Sequence, residues 1–421
     1  MALVLRDSPD FIAAFLGAVK VGAIPVPLST LARPDELDRM VQDSGARLVI
    51  TETTASLLGE GRGPVSAAGT SSDDMCFWQY SSGTTGGPKA VIHLQERTLA
   101  PAHGHGRHVV GLRSDDRVFS TAKLFFSYGL QSSMVIPLAV GASVVLDPDR
   151  FAPERAWVLI ARERPTVLYA VPSAYAGLLA AADAGTPADV ASIRCCISAG
   201  EALPAPLAER WRSRFGLSIL DGMGSTEIGY IALSNTAGDV TPGSSGVPVP
   251  GYDARVVGDD GQDVAAGEPG TLWVRGPSMA RGYHARDART AATFRDGWVL
   301  TGDRYVVRDG RYTHLGRDDD MLRVGAQWVS PLEVESVLLS HPSVRECAVV
   351  GRADHDGLTR PCAYVVANGE SGGLAAELLE SCAQRLPRHK RPRWVEVVPE
   401  LPKTATGKVQ RYRLRQSAPQ A

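Results

Sequence analysis

The sequence predicts an α/β protein with a large N-terminal domain of parallel-sheet α/β layers, a β-rich subdomain, and a small α+β domain at the C-terminus. The first observation is an alternation of short apolar segments with amphipathic segments at the start of the chain, which is typical of parallel strands joined by helices. The second is a β-type run at residues 270–276, G-T-L-W-V-R-G. The third is a change in pattern after residue 316, beyond which short strands and helices are mixed.

The first elements follow a β-α-β-α-β order. Residues 2–5 are apolar and predict a buried strand, and Ser8-Pro9 is a typical helix start. A second strand is predicted at 24–28, a second helix from Pro34, and a third strand at 47–50. The first helix keeps one apolar face, formed by Phe11, Ala14, Phe15, Ala18 and Val19.

Length, charge and cysteine content limit the class of protein. The chain has 421 residues, with 44 Lys and Arg against 46 Asp and Glu, which predicts two or more domains and no nucleic-acid-binding surface. Its six cysteines show no C-x-x-C spacing, as in reduced proteins without structural zinc. The longest apolar run, 134–146, is too short to span a bilayer. We therefore expect a cytoplasmic protein whose partner is a small molecule.

Residues 80–91 read Y-S-S-G-T-T-G-G-P-K-A-V. Small side chains let backbone N–H groups close around an anion, so this composition is typical of a phosphate-binding loop. The Walker pattern of P-loop ATPases is not met, because Pro88 replaces its second glycine and Ala90 follows the lysine. The other alternative for this stretch is a flexible Gly/Ser linker. The candidate phosphate-binding residues are Ser81, Ser82, Gly83, Thr84, Thr85 and Lys89.

This loop resembles the Ser/Thr/Gly-rich loop of the adenylate-forming superfamily, which includes acyl-CoA synthetases, carrier-loading adenylation domains and luciferases. Residues 198–204, S-A-G-E-A-L-P, follow an apolar strand and resemble the adenine-binding turn of that superfamily. The resemblance places Gly200, Glu201 and Ala202 at the nucleotide.

Residues 221–227, D-G-M-G-S-T-E, are a stronger indication of the same family. Thr226 offers a hydroxyl to the α-phosphate of ATP, and Glu227 offers a hard oxygen ligand to Mg²⁺. A divalent metal is expected because the charge of a polyphosphate must be neutralised as pyrophosphate leaves. The resemblance gives catalytic roles to Thr226 and Glu227, makes Glu227 the metal ligand, and adds Asp221, Gly222 and Met223 to the nucleotide site.

Two residues of the following region are expected at the ribose. Asp303 ends a T-G-D motif, and a carboxylate can accept hydrogen bonds from both hydroxyls of a ribose. Arg317 would add a donor to the same sugar. An arginine beside three acids is usually a solvated salt-bridge turn, and only its distance after T-G-D supports the functional role.

The resemblance also predicts the domain division and the catalytic lysine. Asp319 takes the hinge position, which separates a large domain, 1–316, from a small mobile domain, 317–421. The end of the chain, L-P-K-T-A-T-G-K-V-Q-R, matches the terminal lysine motif of the superfamily and places the catalytic ammonium at Lys408.

Residues 123–130, K-L-F-F-S-Y-G-L, resemble the segment that lines the acid pocket of benzoate and hydroxybenzoate CoA ligases. The resemblance implies a small aromatic carboxylic acid as the substrate. Those ligases usually carry histidine at the position of Tyr230, so the accepted ring substituent is expected to differ. The residues expected around the ring are Ser127, Tyr128, Gly224, Tyr230 and Ile231.

The implied reaction has two steps. The acid carboxylate attacks the α-phosphorus of MgATP, giving an acyl-adenylate and pyrophosphate, while Lys408 bridges carboxylate and phosphate. A thiol then takes the acyl group after the small domain rotates and withdraws Lys408. CoA is the first expected acceptor, and the phosphopantetheine arm of an acyl or peptidyl carrier protein is the alternative. Ala326 stands where the superfamily has a glycine beside the thiol channel, which leaves the acceptor open.

A non-catalytic function is the remaining alternative. The N-terminal region of the superfamily has no counterpart before residue 1, which is compatible with a nucleotide-binding remnant. Retention of the catalytic positions argues against that interpretation. The histidines at 93, 103, 105 and 108 are not expected to bind metal, since only Glu96 among them is a carboxylate and no cysteine joins them. A homodimer is left open.

Overall fold

The computed structural model describes residues 1–55, 63–81, 88–324, 327–369, 371–403 and 409–416. The predicted α/β class is confirmed, with a β-rich part and a small α+β unit at the end of the chain. Within the described residues, no helix combines the length and the apolar character that crossing a lipid bilayer requires.

The N-terminal β-α-β-α-β prediction is confirmed. The strands form a parallel sheet in the order β2-β1-β3. Helix α1 begins where expected, because the Ser8 hydroxyl accepts a hydrogen bond from the Phe11 backbone N–H at 3.3 Å. The elements are β1 (Ala2–Val4), α1 (Pro9–Lys20), β2 (Val26–Pro27), α2 (Pro34–Ser44), β3 (Val49–Thr51), α3 (Glu52–Ala55), β4 (Met75–Ser81) and β5 (Lys89–Leu94).

A seven-stranded sheet forms the centre of the large part of the chain. Its order is β12-β11-β10-β9-β8-β6-β7, with β6 to β10 parallel and β11 and β12 antiparallel to their neighbours. Trp157 and Trp211 stack on one side of it at 6.2 Å between ring centroids. The elements are β6 (Arg117–Ser120), α4 (Ser127–Leu130), α5 (Ile136–Val140), β7 (Ser143–Val145), α6 (Pro153–Glu163), β8 (Val167–Ala170), α7 (Pro172–Asp183), β9 (Cys195–Ser198), α8 (Ala205–Phe215), β10 (Ile219–Gly224), β11 (Ile231–Ser234) and β12 (Val247–Pro248).

The carboxyl ends of the parallel strands meet at one edge of this sheet. The segments that the sequence marked as functional follow β6 and β9 or form the end of β10 and the turn after it. In open α/β sheets, ligands bind outside this edge. The topology therefore brings the adenine-turn segment, the acid-pocket segment and the D-G-M-G-S-T-E segment together.

The β-rich part is an antiparallel sheet with the order β13-β14-β17-β16, and β18 pairs with β17. A separate three-stranded sheet has the order β15-β5-β4. Through it, β15 of the β-rich part pairs with β5, which begins at Lys89. The elements are β13 (Asp253–Val257), β14 (Pro269–Arg275), β15 (Gly282–Tyr283), α9 (Asp287–Thr293), β16 (Phe294–Arg295), β17 (Trp298–Arg308) and β18 (Arg311–Arg317).

The C-terminal unit has its own hydrophobic core. Val334, Val349 and Leu378 are fully buried within it, and its two clusters of buried residues are drawn from residues 322–414. The three-stranded sheet has the order β21-β22-β23. The 316/317 domain boundary stays a prediction. The elements are β19 (Leu322–Val324), β20 (Gln327–Val329), α10 (Pro331–Leu339), β21 (Val344–Ala353), β22 (Thr359–Ala367), α11 (Leu374–Arg385), β23 (Trp394–Val397) and α12 (Arg411–Gln416).

Candidate active site

Glu227 is the centre of a polar cluster beyond the end of β10. Its Oε1 accepts hydrogen bonds from the Tyr283 hydroxyl at 2.9 Å and the Ser81 hydroxyl at 3.3 Å. The Lys89 ammonium lies 3.8 Å from the same oxygen and donates to the Tyr283 hydroxyl at 3.4 Å. The Lys89 and Glu227 side chains are only 11% and 15% exposed. We call these four residues the Glu227 cluster.

Strand pairing explains how residues so distant in sequence meet. Ser81 ends β4 opposite Lys89, the first residue of β5. Strand β15 pairs antiparallel with β5, which brings Tyr283 opposite Val91. The backbone N–H of Ala280 donates to the Glu227 carbonyl at 2.9 Å, which ties the turn after β10 to the same sheet.

The surroundings of Lys89 are positively charged. Burial lowers the pKa of Lys89, the Glu227 carboxylate opposes this effect, and the nearby Arg289 and Arg317 guanidinium groups lower the pKa further. Lys89 thus lies in the electrostatic field of two further cationic side chains. Positive charge of this kind suits a polyphosphate, whose oxygens accept charge-assisted hydrogen bonds.

The Glu227 carboxylate fits the oxygen ligand that Mg²⁺ prefers. Its hydrogen bonds to described residues are all made by Oε1. Mg²⁺ is usually held by one or two carboxylates together with substrate phosphates and water. A site with a single carboxylate beside a phosphate-binding region has this donor set.

Asp303 and Arg317 lie opposite each other on β17 and β18. The Arg317 guanidinium donates to Asp303 Oδ1 at 3.2 Å, and His314 Nε2 lies 3.7 Å from the same oxygen. Gly302 has a φ of 71°, and a Cβ there would lie 3.0 Å from the Arg317 guanidinium, so glycine is needed for this approach. The predicted ribose pair is therefore a real contact pair beside Lys89.

The adenine-turn segment follows β9. Gly200 has a φ of 93°, which favours glycine at this turn, and its position is exposed, while Glu201 and Ala202 are partly exposed. Asp221 is buried at the end of the neighbouring strand. Burial raises the pKa of the Asp221 carboxyl well above its usual range, although the backbone N–H groups of Leu203 and Gly222 oppose the shift. Through the Leu203 backbone N–H, the Asp221 carboxyl contacts the adenine-turn segment.

An aromatic group lies on the other side of the Glu227 turn. The Tyr128 ring stacks near Tyr230 at 6.2 Å between centroids and an interplanar angle of 29°. The Tyr128 hydroxyl donates to the Ile197 carbonyl at 3.2 Å, and the Ser127 hydroxyl donates to the Gly229 carbonyl at 3.4 Å. Ser127 and Tyr128 are partly exposed, whereas Tyr230 is only 3% exposed.

Two of the glycines serve the packing of β10 on β11. A Cβ on Gly224 would lie 2.2 Å from the Tyr230 carbonyl oxygen, and one on Gly222 would lie 2.7 Å from the Ile231 side chain. The pairing of these strands also shifts register between Met223 and Gly224. These glycines let the backbone of β11 approach β10 closely. This close pairing holds the turn that carries Thr226 and Glu227 in place.

The comparison with known families decides the identity. Residues 1–284 match the family model described as AMP-binding enzyme, and residues 333–408 match the model of the AMP-binding enzyme C-terminal domain. The chain belongs to the AMP-binding enzyme family. This confirms the resemblance to the adenylate-forming superfamily.

Several relatives of this AMP-binding enzyme act on aromatic acids, according to their names. It is 42% identical to a benzoate–CoA ligase of Thauera aromatica, over 97% of this chain and 84% of that protein. It is also 42% identical to a 4-hydroxybenzoate–CoA/benzoate–CoA ligase of Rhodopseudomonas palustris, over 99% of this chain and 84% of that protein. A crystal structure of the anthranilate CoA ligase AuaEII with anthranoyl-AMP superimposes with a TM-score of 0.93 at 40% identity, covering 99% and 87% of the two chains.

Several predicted site residues of this AMP-binding enzyme lie outside the described residues. They include the terminal lysine, Lys408, and Ala326 near the thiol channel. Asp319 is described and lies in the turn between β18 and β19. The other predicted residues outside the described ranges are Ser82, Gly83, Thr84 and Thr85.

Sequence reasoning missed three aromatic residues. Tyr283 belongs to the Glu227 cluster, but a G-Y pair in a loop region carries no signal of its own. Tyr169, on β8, is fully buried and lies edge-on to Tyr128 at 6.1 Å. His105, in a π-helical segment (Ala102–Val109), lies edge-on to Tyr230 at 5.3 Å. The His105 ring nitrogens are buried without a hydrogen-bond partner among the described residues, and the buried Tyr169 and Tyr230 hydroxyls interact with each other.

Proposed function

We propose that this AMP-binding enzyme activates a small aromatic carboxylic acid with ATP and then transfers the acyl group to a thiol, with CoA as the acceptor. One observation carries the proposal. The turn after β10 presents Glu227 to the cationic cluster on one side and is followed directly by Tyr230, which packs in the aromatic group on the other. A nucleotide triphosphate and an aromatic acid bound there would meet at this turn.

In the first step, a carboxylate oxygen attacks the α-phosphorus, and the bond to the leaving pyrophosphate breaks. Lys89, with Arg289 and Arg317 nearby, would hold the phosphate oxygens, and Asp303 would accept hydrogen bonds from the ribose hydroxyls. Glu227 would hold Mg²⁺, which neutralises charge on the phosphates when bound. Thr226 and Lys408 are proposed as the groups nearest the α-phosphate.

The acid pocket supports a substrate ring with a polar substituent. The His105 ring nitrogens are buried with no hydrogen-bond partner among the described residues, and the buried Tyr230 and Tyr169 hydroxyls interact with each other. A hydroxyl or amino group on the ring would give these buried polar groups a further partner, whereas plain benzoate would not. The names of the relatives include benzoate, hydroxybenzoate and anthranilate ligases, so substituents of this size are compatible with the fold.

In the second step, the thiol sulfur attacks the acyl carbon and AMP leaves. The names of the benzoate and hydroxybenzoate relatives favour CoA as the acceptor. A carrier-protein phosphopantetheine arm is the alternative acceptor, and supplying either thiol to a preformed adenylate separates them. The assignment to the cytoplasm and the existence of a homodimer are also proposals, and light scattering of the purified chain measures the second.

The test is pyrophosphate release from ATP and Mg²⁺ with a panel of benzoate, the hydroxybenzoates and the aminobenzoates. The expected products are pyrophosphate and AMP, with a substituted ring turned over faster than benzoate. Folded, ATP-binding protein that is silent with the whole panel would support a nucleotide-binding remnant instead, and formation of ADP would indicate an ATPase.

A single variant tests the assignment of Tyr230 to the acid pocket. Tyr230→His should shift the preference of the enzyme toward plain benzoate, by about tenfold in the ratio of kcat/KM values, because the phenol hydroxyl is removed and the pocket is reshaped. The ranking of the acid panel is the measurement. An unchanged ranking would remove Tyr230 from the pocket.

A further inference from the structure

The residues on either side of the segment 404–408, which contains Lys408, pair with each other. Lys403 and Val409 form an antiparallel bridge, and the Gln410 backbone N–H donates to the Pro402 carbonyl at 2.8 Å. Residues 404–408 thus join two paired stretches of chain. The residues at 402–403 and 409–411 are called the lysine base below.

A bidentate ion pair fixes the lysine base to the small domain. The Arg411 guanidinium donates to both carboxylate oxygens of Glu335 on α10, at 2.8 and 2.9 Å. Glu335 Oε1 also accepts the Val349 backbone N–H of β21 at 2.7 Å. The two side chains are 20% and 7% exposed, so the pair is largely withdrawn from water. Bidentate pairs of this kind fix direction as well as distance.

Carboxylates surround the Arg411 guanidinium. Burial lowers the pKa of Arg411, but the Glu335, Asp320 and Glu201 carboxylates together raise it above its usual value. Glu201 belongs to the adenine-turn segment, so Arg411, three residues after Lys408 in sequence, is within electrostatic range of a carboxylate of the large part of the chain.

The other side of the lysine base is held less firmly. Lys403 pairs with Glu346 at 2.7 Å, and these side chains are 31% and 30% exposed. Exposed pairs contribute little to stability and orientation, whereas breaking a buried bidentate pair leaves an uncompensated charge. The orientation of the lysine base thus depends mainly on Arg411 and Glu335.

We propose that Arg411 and Glu335 are positioning residues that orient the lysine base, and with it Lys408, toward the carboxylate and α-phosphate during adenylate formation. The proposal rests on the function proposed above, in which Lys408 acts only in the first step. It follows that loss of the pair should slow formation of the adenylate without slowing transfer from a preformed adenylate.

The chain offers a matched control on the same helix. Glu333, two residues before Glu335 on α10, forms a bidentate pair with Lys390, in which both oxygens lie 2.7 Å from the ammonium. The Glu333 side chain is 43% exposed, and its partner Lys390 lies outside the lysine base. Lys390→Ala removes an ion pair of similar geometry from the same domain.

The experiment measures the two steps separately in the full-length enzyme. Pyrophosphate release is followed with ATP and the fastest acid of the panel, and thioester formation is followed from that acid's purified adenylate with CoA. Arg411→Ala and Glu335→Ala should slow the first step by about 100-fold, because small misplacements of a catalytic group have effects of that size. The second step should stay at the wild-type rate, and Lys390→Ala should leave both steps unchanged.

Conservative variants guard against a simple loss of folding. Arg411→Lys keeps the charge but replaces the planar guanidinium, whose Nη2 makes both bonds to Glu335, by a shorter ammonium side chain, so it should stay folded and recover only part of the first step. If both steps fall together in folded Arg411→Lys, the pair is merely structural and the proposal is overturned. If neither step falls in Arg411→Ala, the proposal is also overturned.

Lys408→Ala separates this proposal from the proposed function. Loss of adenylate formation in Lys408→Ala together with full activity in Arg411→Ala would overturn the positioning role alone. Wild-type rates of pyrophosphate release in Lys408→Ala would overturn the proposed mechanism, and the positioning role with it.

Discussion

Tyr283 links the two charged groups of the Glu227 cluster. Its hydroxyl donates to Glu227 at 2.9 Å and accepts from Lys89 at 3.4 Å, while its ring lies 4.6 Å from the Lys89 ammonium. Burial, with the nearby Glu227 charge, raises the pKa of Tyr283, so the hydroxyl keeps its proton and acts as a donor to the carboxylate. The residue was not predicted from sequence, because its place depends on the pairing of β15 with β5.

Tyr283→Phe tests this link. The ring and its cation–π contact are retained, but Glu227 loses a hydrogen bond to a charged acceptor, which is worth about 1.5–3 kcal/mol. We expect kcat/KM for ATP in pyrophosphate release to fall by about tenfold or more, in a variant that still folds. Tyr412→Phe, at a residue that is 52% exposed, is the control. An unaffected kcat/KM in Tyr283→Phe would show that the hydroxyl does not orient Glu227.

Asp7 gives the fold a pH dependence of its own. It is 4% exposed and accepts the Leu124 backbone N–H at 2.9 Å. Burial raises the pKa of Asp7 to about 6, against the opposing effects of Lys123 and of the Leu124 hydrogen bond. Between the ordinary aspartate pKa and about 6, the folded chain holds a proton that the unfolded chain has released. The free energy of unfolding therefore falls as the pH rises through this window.

Asp7→Asn should remove this contribution. The amide oxygen still accepts the Leu124 N–H, but no buried charge forms above pH 6. We expect the variant to be more stable than the wild type by about 2 kcal/mol at pH 8, with the difference vanishing near pH 4. Denaturant unfolding at the two pH values measures this, with Asp38→Asn at an exposed position as the control. If the stability difference between Asp7→Asn and the wild type were the same at both pH values, the raised pKa of Asp7 would be contradicted.

At the scale of elements, Asp116 joins the starts of two neighbouring strands. Its carboxylate accepts from Arg194 at 2.9 and 2.6 Å, from the Thr166 hydroxyl at 2.7 Å and from the Arg113 backbone N–H at 2.8 Å. Burial raises the pKa of Asp116, but these donors outweigh it and bring the pKa to about 2. The stabilisation is thus fully present above the ordinary aspartate pKa and is lost as the pH falls toward 2.

Asp116→Asn should destabilise the fold at neutral pH. The side chain is 1% exposed, and removing one partner of a buried pair costs about 3 kcal/mol. Arg194→Ala should cost a similar amount, and the double variant should cost less than the sum because the two groups share one interaction. Denaturant unfolding at pH 7 is the measurement. Arg210→Ala, from the exposed pair with Asp183, is the control and should change the free energy of unfolding by under about 1 kcal/mol. If the effects of Asp116→Asn and Arg194→Ala on the free energy of unfolding were fully additive, the two residues would not be coupled.

The same elements show where prediction from sequence stops. Local patterns located α1, its cap at Ser8 and the strands that precede the functional segments. The contact between Asp116 and Arg194 joins residues that are 78 positions apart, and no local pattern reports it. Gly224 was assigned to the substrate, but the structure accounts for it by the backbone of β11, which only the strand register reveals.

For the whole molecule, the order of motifs was enough to predict the α/β class and the family. Among the motif residues, Glu227 contacts Lys89 and Asp303 contacts Arg317, while their roles at a nucleotide stay predictions. The strand order of the central sheet was not predictable, because each crossover depends on long-range packing rather than on local propensity. The aromatic group around Tyr128 and Tyr230 was predicted only in part, because Tyr169 and His105 reach it from separate elements through long-range packing.

The hinge role of Asp319 stays a prediction, and the contacts on either side of this residue bear on it. Asp318 is bound to the large part of the chain, since its backbone N–H donates to the Gly302 carbonyl at 3.0 Å and its carboxylate lies 3.6 Å from Arg304. The Asp320 side chain pairs with Arg415 of α12 in the small unit, while its backbone N–H donates to the Arg317 carbonyl at 2.9 Å. If one unit rotates against the other, the dihedral angles of Asp319 are the expected place of the change.

Asp319→Pro should separate the two chemical steps. Proline fixes φ near −65° and so removes one of the two rotations that a hinge residue provides. Under the proposed mechanism, adenylate formation needs one orientation of the small unit only, so pyrophosphate release should persist. Transfer from a preformed adenylate to CoA should fall by at least about tenfold, since it requires the other orientation. Asp319→Ala, which leaves φ and ψ free to change, should retain the rates of both steps. If Asp319→Pro also retained the rates of both steps, the rotation would have to take place at another residue.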